Sequence, residues 1–434
     1  MSSALVAAAG ILHLVPATVI VGAQWGDEGK GKIVDLLARD SDLVCRYNGG
    51  PNAGHTIVVD GETFKLRQIP SGIVWGKECV IGAGCVVDPA VLIDEIDEYV
   101  IGRGLPEGSL RLSGNAHMIM PWHVLLDQAS ERRLGKLQIG TTRRGNGPAY
   151  ADKAHRLGIR LQDIFDPKIL RQKIETALAE KNLWLERIYG VEPIALEDLA
   201  ERYEGYAQRL RPHLTDTSLL VDRALREGRR VLLEGGHGTL LDIDHGTYPF
   251  VTSSSTIAGG ACTGIGLGPT RIDDVVGVAK AYVTRVGEGP FPTEIEGPDQ
   301  ERVRGLGSEF GTVTGRERRC GWLDLVALRY AVRLNGITSL ALTKLDVLSF
   351  FDRLPVCIAY ELRDGTRTDE FPEHQSDFHA ARPVYETLEG WASELDGDDL
   401  PDAARRYVDF VEQQLDVEVS WVGTGAEREQ VLVR

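Results

Sequence analysis

Apolar runs and amphipathic stretches alternate along this chain in a strand–loop–helix order. Val19, Ile20 and Val21 form a β-branched run that leads into the glycine-rich turn Gly22-Ala23-Gln24-Trp25-Gly26-Asp27-Glu28-Gly29-Lys30-Gly31-Lys32. Ile33, Val34, Leu36 and Leu37 follow, spaced as one face of a helix. Leu43 to Tyr47 reads as a second strand, and Ile57 to Leu66 alternates around Asp60-Gly61 as a hairpin does. Cys79 to Val87 reads as a buried strand interrupted by glycines. Pro89 to Val100 and Pro121 to Leu134 read as helices, each with a proline suited to its first turn. Asp163 to about Glu227 is charged and amphipathic, a peripheral helical layer. Strands are then expected at Arg230 to Glu234, Ile272 to Val283, Glu294 to Glu296, Ser339 to Thr343 and, last, Val417 to Val422. Helices are expected at Asp324 to Leu334, Pro383 to Leu395 and Pro401 to Leu415.

Strands alternating with helices, with glycine loops at the strands' C-terminal ends, imply an α/β fold: a large, mainly parallel sheet with ligands along that edge. No internal repeat or low-complexity linker divides the chain. Residues 18–434 are therefore expected to form one domain, with a largely helical insertion at about 160–227 and an extension at 1–17.

Composition narrows the class. Of 434 residues, 43% are hydrophobic and 26% charged, as in an ordinary globular protein with an ample core. The net charge of −16 argues against general nucleic-acid or anionic-membrane binding. Six cysteines (Cys45, Cys79, Cys85, Cys262, Cys320, Cys357) are scattered without a CxxC pair, which disfavours zinc or a disulfide framework and fits a reducing cytoplasm. Residues 1–17 are small and apolar but lack a basic leading segment, so export is not expected. No apolar run reaches the ~18 residues of a membrane span.

The glycine loops carry the candidate chemistry. Strand, glycine turn and helix N-terminus together hold phosphates, because freed amides and the helix's partial positive charge converge on an anion. The first loop is not a standard P-loop, since Gly31 stands where a Ser or Thr would ligate Mg²⁺. It also holds Asp27 and Glu28, which disfavour an anion unless a metal or a proton transfer requires them. A second loop, Asn48 to Thr56, ends in His55. A third, Gly140-Thr141-Thr142-Arg143-Arg144-Gly145-Asn146-Gly147, suits a phosphate monoester or is simply a solvated basic loop. Asp242, Asp244 and His245 could hold a metal, although such spacing also arises in turns. Gly311 to Trp322 contains Arg316, Arg318 and Arg319, a trap for carboxylates or phosphates, with Arg316 and Arg318 on one side if the backbone is extended. Asp346, just past a strand end, can accept two N–H bonds from a guanine edge while Lys344 lies along the ring, or the pair is an ordinary strand-end turn.

Taken together, Gln24 to Lys32, Asn-Ala-Gly-His-Thr at 52–56, Gly-Thr-Thr at 140, Asp-Ile-Asp-His-Gly-Thr-Tyr-Pro from 242, Thr-Gly-Arg-x-Arg-Arg-x-Gly-Trp from 314 and Thr-Lys-Leu-Asp-Val-Leu at 343–348 resemble the adenylosuccinate synthetase family. The resemblance runs from about residue 18 to the C-terminus in the family's motif order. It implies a P-loop-like GTP-binding fold with helical and small β insertions, acting as a cytoplasmic homodimer with Mg²⁺. The implied enzyme is a GTP-dependent ligase joining IMP and L-aspartate through a 6-phosphoryl intermediate. Asp27, His55 and His237 would be catalytic. Asp27 and the Gly54 carbonyl would hold the metal.

Phosphate and guanine contacts are implied for Gly26, Glu28, Gly29, Lys30, Gly31, Lys32, Gly54, Thr56 and Arg318. Lys344, Leu345, Asp346, Gly423, Thr424 and Gly425 complete the GTP set. IMP would meet Asp27, Lys30, Asn52, His55, Thr142, His237, Thr252 and Arg316, with Arg156 arriving from the neighbouring subunit. L-Aspartate would lie under Thr312, Val313, Thr314, Gly315, Arg316 and Arg318.

Departures from the family pattern gather in the substrate loops. His237 replaces a Gln or Asn, Gly236 an Ala, Asn146 an Ile, Ser255 an Asn, Val313 a Thr, and Gly423 and Ala426 a Ser and a Pro. They admit two alternatives to the ordinary enzyme: a paralogue with the same ligase chemistry on a modified purine-like nucleotide, or a non-catalytic GTP-binding regulator. A Rossmann dehydrogenase is poorer still, because no GxGxxG opens the first helix.

Overall fold

The structure, a computed structural model, describes residues 16–52, 54–59, 62–135, 138–311, 315–349, 351–395 and 399–434. Within the strand His55–Val59, side chains other than that of Ile57 are not described. Most of the expected extension, the tip of the Asp60-Gly61 hairpin, and Thr312, Val313 and Thr314 thus lie outside the described residues.

Ten strands form the main sheet: β1 (Ala17–Gly22), β2 (Leu43–Arg46), β3 (Glu78–Ile81), β4 (Leu110–Ser113), β5 (Leu214–Thr215), β6 (Val231–Gly238), β7 (Asp274–Lys280), β8 (Ser339–Thr343), β9 (Glu418–Gly423) and β10 (Val431–Val433). Their order is β10-β9-β8-β7-β1-β6-β2-β3-β4-β5. Neighbours are parallel except β10, which runs antiparallel to β9. The expected α/β architecture is thus observed. β1 is buried at all six positions, as a strand covered on both faces must be. Its side chains alternate between two cores: Val19 and Val21 enter one, Ile20 the other. β1 lies between β6 and β7, so the loops leaving these three strands emerge side by side at the C-terminal edge.

The helices Pro167–Leu183, Leu196–Leu210 and Thr217–Arg226 fall within 163–227, with β5 between the last two. No helix among the described residues is long and apolar enough to cross a membrane.

Five expectations change. Pro383 to Leu395 is not helical: Arg382–Glu389 is a strand that pairs antiparallel with Arg353–Glu361, from Arg353 opposite Glu389 to Glu361 opposite Arg382. Val384, Tyr385 and Thr387 favour a pleated surface once a partner strand is there, and that long-range pairing overrides local helical spacing. Cys79 to Val87 splits after Ile81, and Val86–Val87 pairs instead with His117–Met118. Gly82 still donates to Arg46 O on the neighbouring strand (2.9 Å), and the chain leaves the sheet at Gly84, which donates to Gly264 O (2.9 Å). Glu294 to Glu296 forms only an isolated bridge, Glu294 to Gly321. Ile272 to Val283 ends as a sheet strand at Lys280, and Val283–Arg285 joins Arg319–Gly321 in a separate ladder. Val417 to Val422 is followed by β10, so it is not the last strand.

Gly84 packs backbone against backbone: a Cβ there would collide with Tyr47 O and Gly264 Cα. Gly84→Ala should therefore destabilise the protein by about 1–3 kcal/mol. A thermal melt reads this directly, and an unchanged Tm would refute the close approach.

Candidate active site

Past β1 the chain turns over the sheet edge and enters α1 (Lys30–Ala38). The two acidic residues of this turn face opposite ways. Glu28 is wholly buried; its Oε1 accepts from the amides of Gln24 (3.1 Å) and Gly26 (2.8 Å), and its Oε2 accepts from Lys30 Nζ (2.6 Å). Burial alone would raise this carboxyl, but Lys30 and the amides hold it below its ordinary value. Gly22 and Gly238 leave it room: a Cβ on either would stand 2.5 Å from a carboxylate oxygen of Glu28. The Glu28 side chain, expected among the GTP contacts, is thus turned into the protein, and only its backbone can meet a nucleotide. Asp27 adopts a left-handed conformation (φ 58°) after Gly26 (φ 89°), and its carboxylate emerges exposed. Its Oδ1 lies 2.9 Å from Arg318 Nη2.

The loops enclose a cavity of about 450 Å³. Gly26 to Lys32, Asn52, Gly54, Thr142, His237, Thr252, Arg316, Arg318 and Lys344 all line it, so the structure brings together most of the residues singled out in the sequence. α1 opens at Gly29 (φ 82°) without a side-chain cap, leaving its first amides open to the cavity. Two departures from the family pattern meet on one residue. Asn52 Nδ2 lies 3.0 Å from His237 Nε2, and Asn146 Nδ2 donates to Asn52 Oδ1 at 2.7 Å.

The third loop is built differently from its composition. Helix α2 (Pro121–Leu134) presents Asp127 and Glu131 one turn apart. Glu131 accepts from the amides of Ile139, Gly140 and Thr141 (2.9–3.2 Å), and Asp127 accepts from Thr141 Oγ1 (2.8 Å) and the Gly145 amide (2.9 Å). Those amides serve the fold, not an anion. Arg143 and Arg144 lie off the cavity lining, whereas Thr141, Thr142 and Asn146 of this loop are on it. Asp242 is likewise occupied. It accepts from the amides of Asp244 (2.9 Å), His245 (3.1 Å), Thr256 (2.6 Å) and Ile257 (3.3 Å), which orders the loop carrying Thr252. That set is a turn, and no group of three or more His, Cys, Asp or Glu able to hold a metal occurs among the described residues.

Across the cavity, Arg316 and Arg318 diverge. Arg316 Nη2 donates to Gly140 O (3.1 Å) and Thr141 O (3.2 Å), tying its loop to the third one. Arg318 Nη1 donates to Glu309 Oε2 at 2.6 Å. Glu309, fully buried, also receives Lys344 Nζ at 2.9 Å, Lys280 Nζ at 3.2 Å and the Tyr282 hydroxyl. Burial works to raise its carboxyl, and the three cations pull it well below the usual range.

Of the residues expected to meet guanine, Lys344 lines the cavity. Asp346 Oδ1 is buried with no hydrogen-bond partner among the described residues, as an acceptor awaiting N–H donors would be. Burial raises this carboxyl, against Lys344 and Lys32. Leu345 is fully buried, so only its backbone is available. Lys32 donates to Gly425 O (2.9 Å) and Gln430 O (3.0 Å), fastening α1 to the segment that follows β9, whose last residue is Gly423 and which begins with Thr424 and Gly425. Arg156, following helix α3 (Asn146–His155), is exposed and off the cavity lining. His55 heads a strand, and the side chains of His55 and Thr56 lie outside the described residues.

Sequence reasoning missed Glu309, Lys280, Asp127 and Glu131. The last two carried a usable signal, since carboxylates four apart on a helix just before a glycine loop suit capping its amides. Glu309 and Lys280 carried none, because only the fold brings them together.

The adenylosuccinate synthetase family model matches residues 19–432. The chain belongs to the adenylosuccinate synthetase family. It is 55% identical over 423 residues to the adenylosuccinate synthetase of Acidothermus cellulolyticus, covering 96% of this chain and 99% of that one. To that of Thermobifida fusca it is 54% identical over 423 residues, with the same coverage. The solved structure of fully ligated adenylosuccinate synthetase from Plasmodium falciparum superposes with a TM-score of 0.91 at 36% identity, over 96% of this chain and 100% of that one. As an adenylosuccinate synthetase family member the chain is an enzyme, a GTP-dependent ligase of purine biosynthesis that joins IMP and L-aspartate. Identity at this level and coverage does not favour the paralogue or the non-catalytic regulator.

Burial pushes the Lys32 ammonium down from 10.5 to about 8, while Asp346, Glu427 and Glu429 act to raise it. Lysine is charged below its pKa, so its two carbonyl contacts are charge-assisted below about 8 and lose that charge above it. KM for GTP should rise severalfold between about pH 7 and pH 9.5, and Lys32→Arg, always charged, should flatten the profile. For stability the sign is opposite: a depressed lysine opposes folding while charged, so its penalty fades as pH rises from about 8 towards 10.5. A pH-independent KM in the native enzyme would exclude the assignment.

Proposed function

We propose that Asp27 is the base of this ligase, removing the N1 proton of IMP so that O6 can attack the γ-phosphate of GTP. The observation that carries this is the division of labour in the first loop. Glu28 is consumed by the fold, whereas Asp27 reaches the cavity by a left-handed turn that a structural carboxylate does not need. O6 phosphorylation creates a leaving group at C6, and the amine of L-aspartate then displaces it as phosphate, forming the C–N bond. His55 donates a hydrogen bond to the phosphoryl oxygens as the group transfers. His237, beside Asn52 on the cavity wall, faces the purine and orients O6.

The nucleotide monophosphate is gripped by Lys30, Asn52, Thr142, Thr252 and Arg316, all but Lys30 contributed by loops other than the first. The γ-phosphate meets the open end of α1 at Gly29 to Lys32, with Gly26 beside it. Thr56 and the Gly54 backbone close over the phosphates. Asp346 accepts the two guanine N–H donors; adenine lacks them and would leave the carboxylate buried and unpaired, so GTP is preferred over ATP. Leu345 and Gly423 to Gly425 wall the base, with Lys344 along the ring. L-Aspartate is covered by Thr312 to Gly315, its carboxylates held by Arg316 and Arg318.

Asp27 and the Gly54 carbonyl both line the cavity, a hard oxygen pair suited to Mg²⁺, which takes most of its remaining ligands from phosphates and water. When bound there, the ion offsets the phosphate charge. The enzyme works as a homodimer in the cytoplasm, and Arg156, exposed and off its own cavity, suits a role in the neighbouring site.

Asp27→Asn should lower turnover by about 10²–10⁴-fold while leaving nucleotide binding nearly intact. The readout is orthophosphate release that depends on IMP, GTP and aspartate together. Undiminished release would remove the base assignment. Arg156→Leu should raise KM for IMP, and mixing it with Asp27→Asn should regenerate hybrid dimers with one working site; no regained activity on mixing would rule out the shared site.

A further inference from the structure

Glu309 is absent from every role assigned above, yet it gathers more charge than any other buried group at the site. Its two oxygens serve different substrates. Oε2 receives Arg318 Nη1 at 2.6 Å, on the aspartate side, and Oε1 receives Lys344 Nζ at 2.9 Å, on the guanine side. Lys280 Nζ and the Tyr282 hydroxyl share Oε1 from below, and neither Lys280 nor Tyr282 lines the cavity. Arg318 and Lys344 do line it.

Glu309 also stands on the stem of the aspartate loop. Its carbonyl accepts from the Arg318 amide at 3.0 Å, and the next pair, Phe310 and Glu317, forms a bridge. Lys344 is held a second time, by Gly307 O at 2.6 Å. A carboxylate so enclosed is expensive to bury unless its partners are fixed, and here fixing the partners is the consequence that matters. Both cations have long flexible stems, so ordering each one costs conformational entropy that a prepositioned anchor removes before substrate arrives.

We propose that Glu309 is a positioning residue that holds Arg318 and Lys344 on one rigid anchor, preorganising the L-aspartate and GTP subsites together and reaching the IMP side only through the Arg318–Asp27 contact, not through the residues that grip the monophosphate. The inference rests on the assignment of Arg318 to aspartate and Lys344 to GTP given above.

Steady-state kinetics of Glu309→Gln test it. KM for aspartate and KM for GTP should each rise about tenfold, with KM for IMP within about twofold of the native value. A purely structural role would instead lower the yield of active enzyme and the Tm, with all three KM values unchanged. Removing the carboxylate alone leaves three cations, two of them buried, facing one another, so a second variant guards against misfolding. Glu309→Gln with Lys280→Met removes one negative and one positive charge and keeps the local balance. The same pair of KM increases is expected in it. Unchanged KM values for aspartate and GTP in whichever of the two variants folds would overturn the proposal. Should neither fold, Tyr282→Phe decides, with a smaller rise in both KM values expected and no rise counting against the anchor. Arg318→Leu and Lys344→Met separate the two layers. If they leave KM for aspartate and GTP unchanged, the site assignment fails; if they raise it while the Glu309 variants do not, only the anchor fails.

Discussion

The site depends on one buried ion pair, Glu28 with Lys30, at the point where the first strand meets the first helix. A loop meant for triphosphate would ordinarily exclude carboxylates. This one encloses a carboxylate so completely that it acts as part of the backbone's own hydrogen bonding, accepting from Gln24 and Gly26. With those amides drawn inward, the loop cannot relax, and the residue between them and Glu28 is forced outward. Asp27 owes its place to that constraint. Glycines at 22 and 238 are its steric counterpart, since any side chain at either would evict the carboxylate.

The same logic recurs around the cavity. Asp127 and Glu131 hold the third loop, Asp242 holds the loop bearing Thr252, and Glu309 holds two of the cations. An acidic protein thus assembles an anion site by spending its negative charge inside the walls. Each carboxylate there is saturated by amides or cations, so it contributes rigidity without opposing the phosphates as strongly as a free one would. The cost is that each anchor is intolerant of change, because removing it strands several donors at once.

This explains what was legible in the sequence. The phosphate loop, the histidine at 237, the arginines at 316 and 318 and the Lys344–Asp346 pair sit on contiguous motifs at strand ends, where local spacing already places them at the ligand edge. The parallel sheet was legible for a related reason, since β-branched runs between amphipathic stretches admit few other arrangements. What was not legible depended on partners far away in the chain. Arg382–Glu389 reads as a helix alone and becomes a strand only beside Arg353–Glu361. The arginines at 143 and 144 look like phosphate ligands until α2, with its two carboxylates, is seen to hold their loop the other way. Glu309 and Lys280 are ordinary charges 29 positions apart until the fold seals them together.

One contact joins the two halves of the chemistry. Arg318 bonds Glu309 through Nη1 and Asp27 through Nη2, so a single guanidinium links the buried carboxylate to the exposed one proposed as the base. The planar fork of arginine can serve both at once, which the point charge of a lysine could not do with the same directionality. With Glu309 immovable, the contact that yields when a substrate carboxylate approaches is the one to Asp27, whose side chain is exposed and better solvated. On the roles proposed for Arg318 and Asp27, aspartate entry at the first and release of the second are parts of one exchange of partners. On that reading the arrangement places second-substrate recognition next to the group that starts the first step.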